Sequence, residues 1–223
     1  MIHIEQILAF PISQIPYVLI TLIFAFTLHE FMHAWMANEF GDATAKNQGR
    51  VTLNPIKHLD VLGTILIFIA GIGWAKPVPI NRFYFLKRRA QAIIVSLVGP
   101  LSNFFLAFVG LGLWYLSLNF EMTTNQTIVI NEFMNVFVRL NVILGIFNLI
   151  PIPPLDGFRI VSRFFSAKTQ MKVLPYEQYG ILIFFVIMMT PLGAMTIHPF
   201  LNITTEAIIS GFHSFYQVLF LNK

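Results

Sequence analysis

The 223-residue chain reads as an all-α polytopic membrane protein, with about five to six transmembrane helices and one short re-entrant or strand-like segment. Three observations predict this. Hydrophobic residues make up 57% of the chain and charged residues 11%, against about 25% charged in a soluble domain. Apolar runs recur at the roughly 20-residue length that crosses a bilayer, with short connections between them. The basic residues gather between particular runs, as topology signals do. The +4 formal charge therefore carries no nucleic-acid signature, and no nucleic-acid partner is expected.

The first run spans about Pro16 to Phe40. Pro16 suits a first helical turn, and Gly41 suits the position just past a helix end. No Lys or Arg precedes this run, so the basic region of a secretory signal peptide is not expected. Gly41–Asp60 is polar and holds Lys46, Arg50 and Lys57. Val61–Ile72 is apolar but short for a span, and basic residues flank it on both sides, so a segment that returns to the same side is expected. Trp74–Arg82 is rich in proline and should be extended, in the manner of an edge strand. The next long run, about Ala92 to Leu118, contains Gly99-Pro100, and Pro100 is expected to kink or locally break it. An acidic turn over Asn119–Asn125 leads to a run from about Ile128 to Ile150, stopped by Pro151-Ile152-Pro153-Pro154. The stretch Asp156–Glu177 follows, then apolar runs at about Tyr179–Met189 and Phe200–Leu221. Thirteen of the 14 basic residues fall in stretches that this topology puts inside; Arg139 lies within the fourth long run, where it can snorkel or pair with Glu132. Such asymmetry predicts an N-terminus outside.

The first run contains His29-Glu30-Phe31-Met32-His33. On a helix, positions i and i+4 share a face, so both imidazoles can hold one metal ion. Glu30 stands beside them, where a carboxylate can act as general base on an attacking water. Insertion scales put an acidic side chain at mid-bilayer at roughly 2.5–3.5 kcal/mol, a cost usually met only for function. The chain has no cysteine, so a metal must be held by His, Asp, Glu or Asn. A catalytic zinc takes three protein ligands and keeps one position open. Two acidic residues in or beside apolar runs can supply the third: Glu132 and Asp156. His33 and His29 lie roughly 12 and 18 Å from the inner end of their run at 1.5 Å per residue, whereas Glu132 lies roughly 28 Å from Pro151. Asp156 follows three prolines on the inner side, where a helix cannot continue and free backbone can line a cavity. Asp156 is therefore the expected third ligand.

The pairing of His29–His33 in a membrane helix with Asn148-Leu-Ile-Pro-Ile-Pro-Pro-Leu-Asp-Gly157 resembles the site-2 protease family of intramembrane zinc metalloproteases. Asn54-Pro55-Ile-Lys-His58, Gly73-Trp-Ala-Lys-Pro-Val-Pro-Ile-Asn81 and Gly99-Pro100-Leu-Ser-Asn103 look like its compact bacterial branch, and the likeness runs from about residue 20 to 165. The resemblance implies one Zn2+ per chain held by His29, His33 and Asp156, with Glu30 activating water. It also implies a three-helix catalytic core with its site below the membrane surface. Val61 stands where relatives often have proline, and no PDZ-like or CBS-like segment is recognised.

A transition-state oxyanion needs a donor near the reacting carbonyl. Asn148 is the first candidate, with Asn103 and His58 behind it. Val78 and Ile80 are candidates for pairing an unwound substrate by strand addition. Asn54 and Asp60 read as loop formers. The expected organisation is a single membrane-embedded metalloprotease domain over 1–223, with a catalytic core at about 16–165 and accessory helices at about 178–221. The expected partners are a transmembrane protein substrate and the lipid bilayer, with an accessory regulator or an oligomer in addition. The expected location is the plasma membrane, multi-pass, with the active site opening toward the cytoplasm. Two alternatives share the composition: a divalent-metal transporter, and a catalytically inactive membrane scaffold of the same fold. A transporter would usually show inverted halves with matching broken segments, and none is found.

Overall fold

The computed structural model describes residues 8–71, 73–173 and 179–221. The expected limits at Ile72, Glu177 and Lys223, and the segment preceding Leu8, lie outside the described residues. The described residues form helices and turns, with no β-strand among them.

Helix α1 (Ile15–Glu39) takes Pro16 in its first turn and ends at Phe40, followed by Gly41 at φ +97. Short helix α2 (Thr44–Asn47) and a 3-10 turn at Pro55–Lys57 occupy the polar stretch after it. Asn54 caps that turn by accepting from the Ile56 N–H. Helix α3 (Val61–Ala70) is capped by Asp60, which accepts from the Gly63 N–H. Its 10 residues rise about 15 Å, half a bilayer core, as expected of a segment that does not cross.

Helix α4 (Arg88–Ser117) runs continuously through Pro100, so of the expected kink or local break the break does not occur. The proline removes one N–H from a 30-residue ladder, and its ring is fully buried against neighbouring helices, which hold the line. Helix α5 (Thr124–Asn148) starts four residues earlier than its apolar pattern. Thr123 and Gln126 form a reciprocal capping box there, satisfying free N–H groups that the apolar pattern does not register.

Helices α1, α4 and α5 pack on one another and form the core of the bundle. Ala25, Ala34 and Ala37 of α1 and Ala107 of α4 are fully buried, so the helices approach closely without bulky side chains between them. Helix α6 (Asp156–Val161) begins directly after the proline run and packs on α4. Beyond it come α7 (Ala167–Val173), α8 (Gly180–Met189), a π-helical turn at Gly193–Ile197 and α9 (His198–Leu221). Helix α9 packs on α4 and α5, with Tyr216 against Gly112 and Phe108.

Among the described residues, three helices are long and apolar enough to cross a membrane: Ile12–Glu39, Arg89–Ser117 and Thr124–Asn148. The expected count of five to six included α8, which is only 10 residues long, and α9, which mixes Asn202, Glu206, His213 and Gln217 into its apolar sequence. Arg139 pairs with Glu206 of α9 at 2.5 Å, not with Glu132. The partner on the neighbouring helix lies within reach of the guanidinium, a relation that spacing along α5 cannot reveal.

Candidate metal centre

The two histidines of α1 lie on one face, as the i, i+4 spacing requires, and both are buried. Their Nε2 atoms are 3.0 Å apart. Asp156, the first residue of α6, brings Oδ2 to 3.1 Å from each of them. The sequence separations are 127 and 123 residues, so the packing of α6 on α4 creates this group.

The other ring nitrogens identify what the group is. His29 Nδ1 lies 2.7 Å from Asn103 Oδ1, and His33 Nδ1 lies 2.6 Å from the Val95 carbonyl oxygen. Both partners are acceptors, so each Nδ1–H donates and each Nε2 keeps a bare lone pair. Two imidazole lone pairs and a carboxylate oxygen thus converge on one point. Ligand atoms bound tetrahedrally at about 2.0–2.1 Å lie roughly 3.3–3.4 Å apart. The observed triangle has edges of 3.0, 3.1 and 3.1 Å, so the donor set fits a small, tetrahedrally coordinated cation. Arg159 Nη1 stands 3.5 Å from Asp156 Oδ1, leaving Oδ2 turned toward the histidines.

Gly99 of α4 makes room for this group. A methyl group there would stand 2.5 Å from His33 Cε1 and 2.7 Å from His29 Nε2, and closer still to His33 Nε2. A methyl at Gly157 would overlap the carbonyls of Leu149 and Ile150, so this glycine serves a close approach of α6 to the end of α5.

Glu30 is buried beside the group, and its Oε2 accepts from the Val78 N–H at 3.0 Å. Val78 lies in the extended segment 73–81, which three side chains hold in place. Arg50 donates to the Lys76 and Pro77 carbonyls at 2.6 and 3.2 Å, Asp42 accepts from the Asn81 N–H at 2.6 Å, and Glu30 makes the third hold. Asp42 and Arg50 were not singled out from the sequence. Their only sequence signal is charge in a short loop, which is ordinarily a solvated face.

A cavity of about 150 Å³ opens over the group, lined by His29, Glu30, His33 and Asp156 together with Asn148, Val78, Ile80 and Arg159. Asn148 donates one amide hydrogen to the Leu144 carbonyl at 2.9 Å and borders the cavity. Asn103, the second oxyanion candidate, also lines the cavity, and its side chain is engaged by neighbouring helices. Its oxygen meets His29, and its amide nitrogen lies 3.3 Å from the Ala25 carbonyl and 3.2 Å from Asn141 Oδ1, so both amide hydrogens are engaged. His58 is fully buried in the loop before α3, where its Nε2–H donates to the Thr52 carbonyl, and it does not line the cavity. Burial pushes its imidazole below the ordinary histidine range.

A helical membrane protein whose buried ligand group joins a His-Glu-Phe-Met-His run to a distal aspartate falls in the class of membrane metalloproteases. Comparison with known proteins agrees. The model of "Peptidase family M50" matches residues 115–191, the part that carries Asp156. The chain is 45% identical over 217 residues to the Bacillus subtilis (strain 168) protein named "Putative zinc metalloprotease YwhC", covering 96% of this chain and 99% of that one. It is 32% identical over 169 residues to "Putative zinc metalloprotease Rip2" of Mycolicibacterium smegmatis, and 30% identical over 169 residues to Rip2 of Mycobacterium tuberculosis (strain H37Rv), covering 74% of this chain and 63% of each. No solved structure matches. The chain belongs to peptidase family M50.

Proposed function

We propose that this peptidase is an intramembrane zinc metalloprotease that hydrolyses peptide bonds in or near transmembrane segments of other membrane proteins. The observation that carries the proposal is the convergence of His29 Nε2, His33 Nε2 and Asp156 Oδ2 within 3.1 Å, with both histidines on a helix long and apolar enough to span a bilayer. His33 and His29 stand six and ten residues before Glu39, about 9 and 15 Å inside the end of α1. A bond cut there lies below the membrane surface.

His29, His33 and Asp156 hold the zinc. When bound, it supplies Lewis-acid polarisation of the scissile carbonyl and acidifies a water for attack. The protein's own groups do the rest. Glu30, aimed by the Val78 N–H on Oε2, takes the proton of the attacking water on its other oxygen and then delivers it to the departing amine. Asn148 offers its second amide hydrogen to the oxyanion that develops on the carbonyl. A substrate helix must unwind before its carbonyl can be reached. Val78 and Ile80 border the cavity, and an unwound substrate can pair along this extended segment through the Ile80 backbone and the Val78 carbonyl, the Val78 N–H being held by Glu30.

The proposed unit is one metalloprotease domain over 1–223, with its catalytic core at about 16–165 and accessory helices at about 178–221. It sits as a multi-pass protein in the plasma membrane, with the N-terminus outside and the cavity opening toward the cytoplasm. The basic loops at the inner end of α1 support that orientation. The test is cleavage of a single-span substrate in liposomes, with the cut mapped by mass spectrometry. Cuts within the span or a few residues from its end are expected. Cuts confined to soluble flanking segments, or equal turnover of a soluble peptide, would contradict the intramembrane reading.

A further inference from the structure

Asn141 lies on α5, contributes nothing to the cavity lining, and belongs to no motif of the sequence. It is nonetheless fully buried at the centre of the bundle, a costly place for an amide unless all its groups are satisfied. Its Nδ2 donates to the Phe137 carbonyl at 2.9 Å. That fixes which way the amide faces and turns Oδ1 toward Asn103, whose Nδ2 donates to it at 3.2 Å. Asn103 Nδ2 also faces the Ala25 carbonyl at 3.3 Å, and with both donors so placed its Oδ1 must point at His29 Nδ1, 2.7 Å away.

We infer that Asn141 is a positioning residue for the metal centre: through Asn103 it sets the orientation and tautomer of His29 in a relay that crosses α5, α4 and α1. The direction of the relay follows from the amide geometry. Were Asn103 to flip, its NH2 group would face His29 Nδ1, the ring would have to accept there, and its hydrogen would move to Nε2, the atom needed as ligand. Asn141 Oδ1 would then face an oxygen instead of a donor. Asn141 thus opposes the flip that would disable His29, from a position that never touches the ligand atoms. Through Asn103 it also links α5 to α4 and α1, all without a charge in the bundle interior.

This inference rests on the zinc-site reading above, and its test separates the two. Zinc affinity is measured by chelator competition on the full chain in detergent, with the thermal midpoint of the zinc-free protein recorded alongside. Three variants are compared: Asn141→Leu, which removes the acceptor; Asn141→Ser, whose hydroxyl is too short to reach Asn103; and Asn141→Asp, which keeps an oxygen of the same reach. Loss of an outer partner of a ligating histidine typically lowers metal affinity 10–100-fold. A fall in that range is expected for Leu and Ser, with Asp within about threefold of wild type, below the smallest loss expected of the relay. A role in packing alone would lower the zinc-free midpoint and leave zinc affinity unchanged in all three. That result overturns the inference, as does equal loss of affinity in Asp and Ser. Should Leu fail to fold, the contrast of Ser with Asp decides. Absence of zinc binding in the wild type would overturn the metal-site reading itself, and this inference with it.

Discussion

Replacing Gly99 by alanine puts a methyl group against the ligand edge of both imidazoles. The added carbon would stand 2.5 Å from His33 Cε1 and 2.7 Å from His29 Nε2. Ordinary contact between such atoms is about 3.5 Å, so the rings must withdraw by roughly 1 Å. A metal site tolerates only about 0.2 Å in its ligand distances. The zinc-free protein can relieve the overlap by turning the rings away, whereas the zinc-bound protein cannot, so the strain appears in affinity more than in folding. Overpacking of this kind costs about 1–3 kcal/mol, which at 1.4 kcal/mol per decade is roughly a 5- to 140-fold loss of zinc affinity. The assay is chelator competition on the detergent-solubilised protein, with Gly211→Ala as control, because a methyl there has nothing within 4 Å. Gly99→Ala binding zinc at wild-type affinity and full stoichiometry would refute the close-approach argument. A loss in the Gly211 control would show that the assay reports general damage.

Three further outcomes are expected. Asp156→Ala removes one corner of the ligand triangle, and zinc affinity should fall by more than the roughly 100-fold that loss of an outer partner can cost; retained affinity would assign the third ligand elsewhere. His58 is kept neutral by burial, so its folded-state pKa lies below the unfolded value of about 6.5, and its stabilising share is present above that pH and lost as pH falls through the folded-state value. The thermal midpoint of His58→Gln should therefore decline less than that of wild type below pH 6.5, and parallel declines would count against the assignment. Arg139 lies nine residues before the end of α5 at Asn148, and an unpaired charge at such depth costs roughly 2.5–3.5 kcal/mol on insertion scales. Arg139→Leu should lower the thermal midpoint more than the double variant Arg139→Leu/Glu206→Leu, and the opposite order would remove the ion pair from the stability account.

The parts legible in the sequence are those governed by local spacing. His29 and His33 share a face because a helix repeats every 3.6 residues, and Asp156 follows a proline run that must interrupt α5 near the right depth. Asn54 and Asp60 cap turns a few residues away, as their side chains usually do. What the sequence did not reveal depends on how helices are rotated against one another. Arg139 chose a partner 67 residues away, Glu30 accepts from a backbone N–H 48 residues away, and Asn103 turns its oxygen to a histidine 74 residues away. None of these distances leaves a periodic trace. Pro100 illustrates a different limit. Its missing N–H is local and legible, yet burial among neighbouring helices keeps α4 continuous. Asn103 stands out in its Gly99-Pro100-Leu-Ser-Asn103 stretch, but Asn141 is an unremarkable letter in an apolar run, and only its burial and its bonds to Phe137 and Asn103 reveal its place.

The most direct measurement pairs zinc content with cleavage of a single-span substrate, for wild type and Glu30→Gln purified side by side. The account predicts about one zinc per chain in both proteins, since Glu30 is not among the three ligands a catalytic zinc site takes from the protein, and cleavage by the wild type alone. Cleavage by Glu30→Gln at the wild-type rate, or no zinc in a wild type that cleaves, would contradict it.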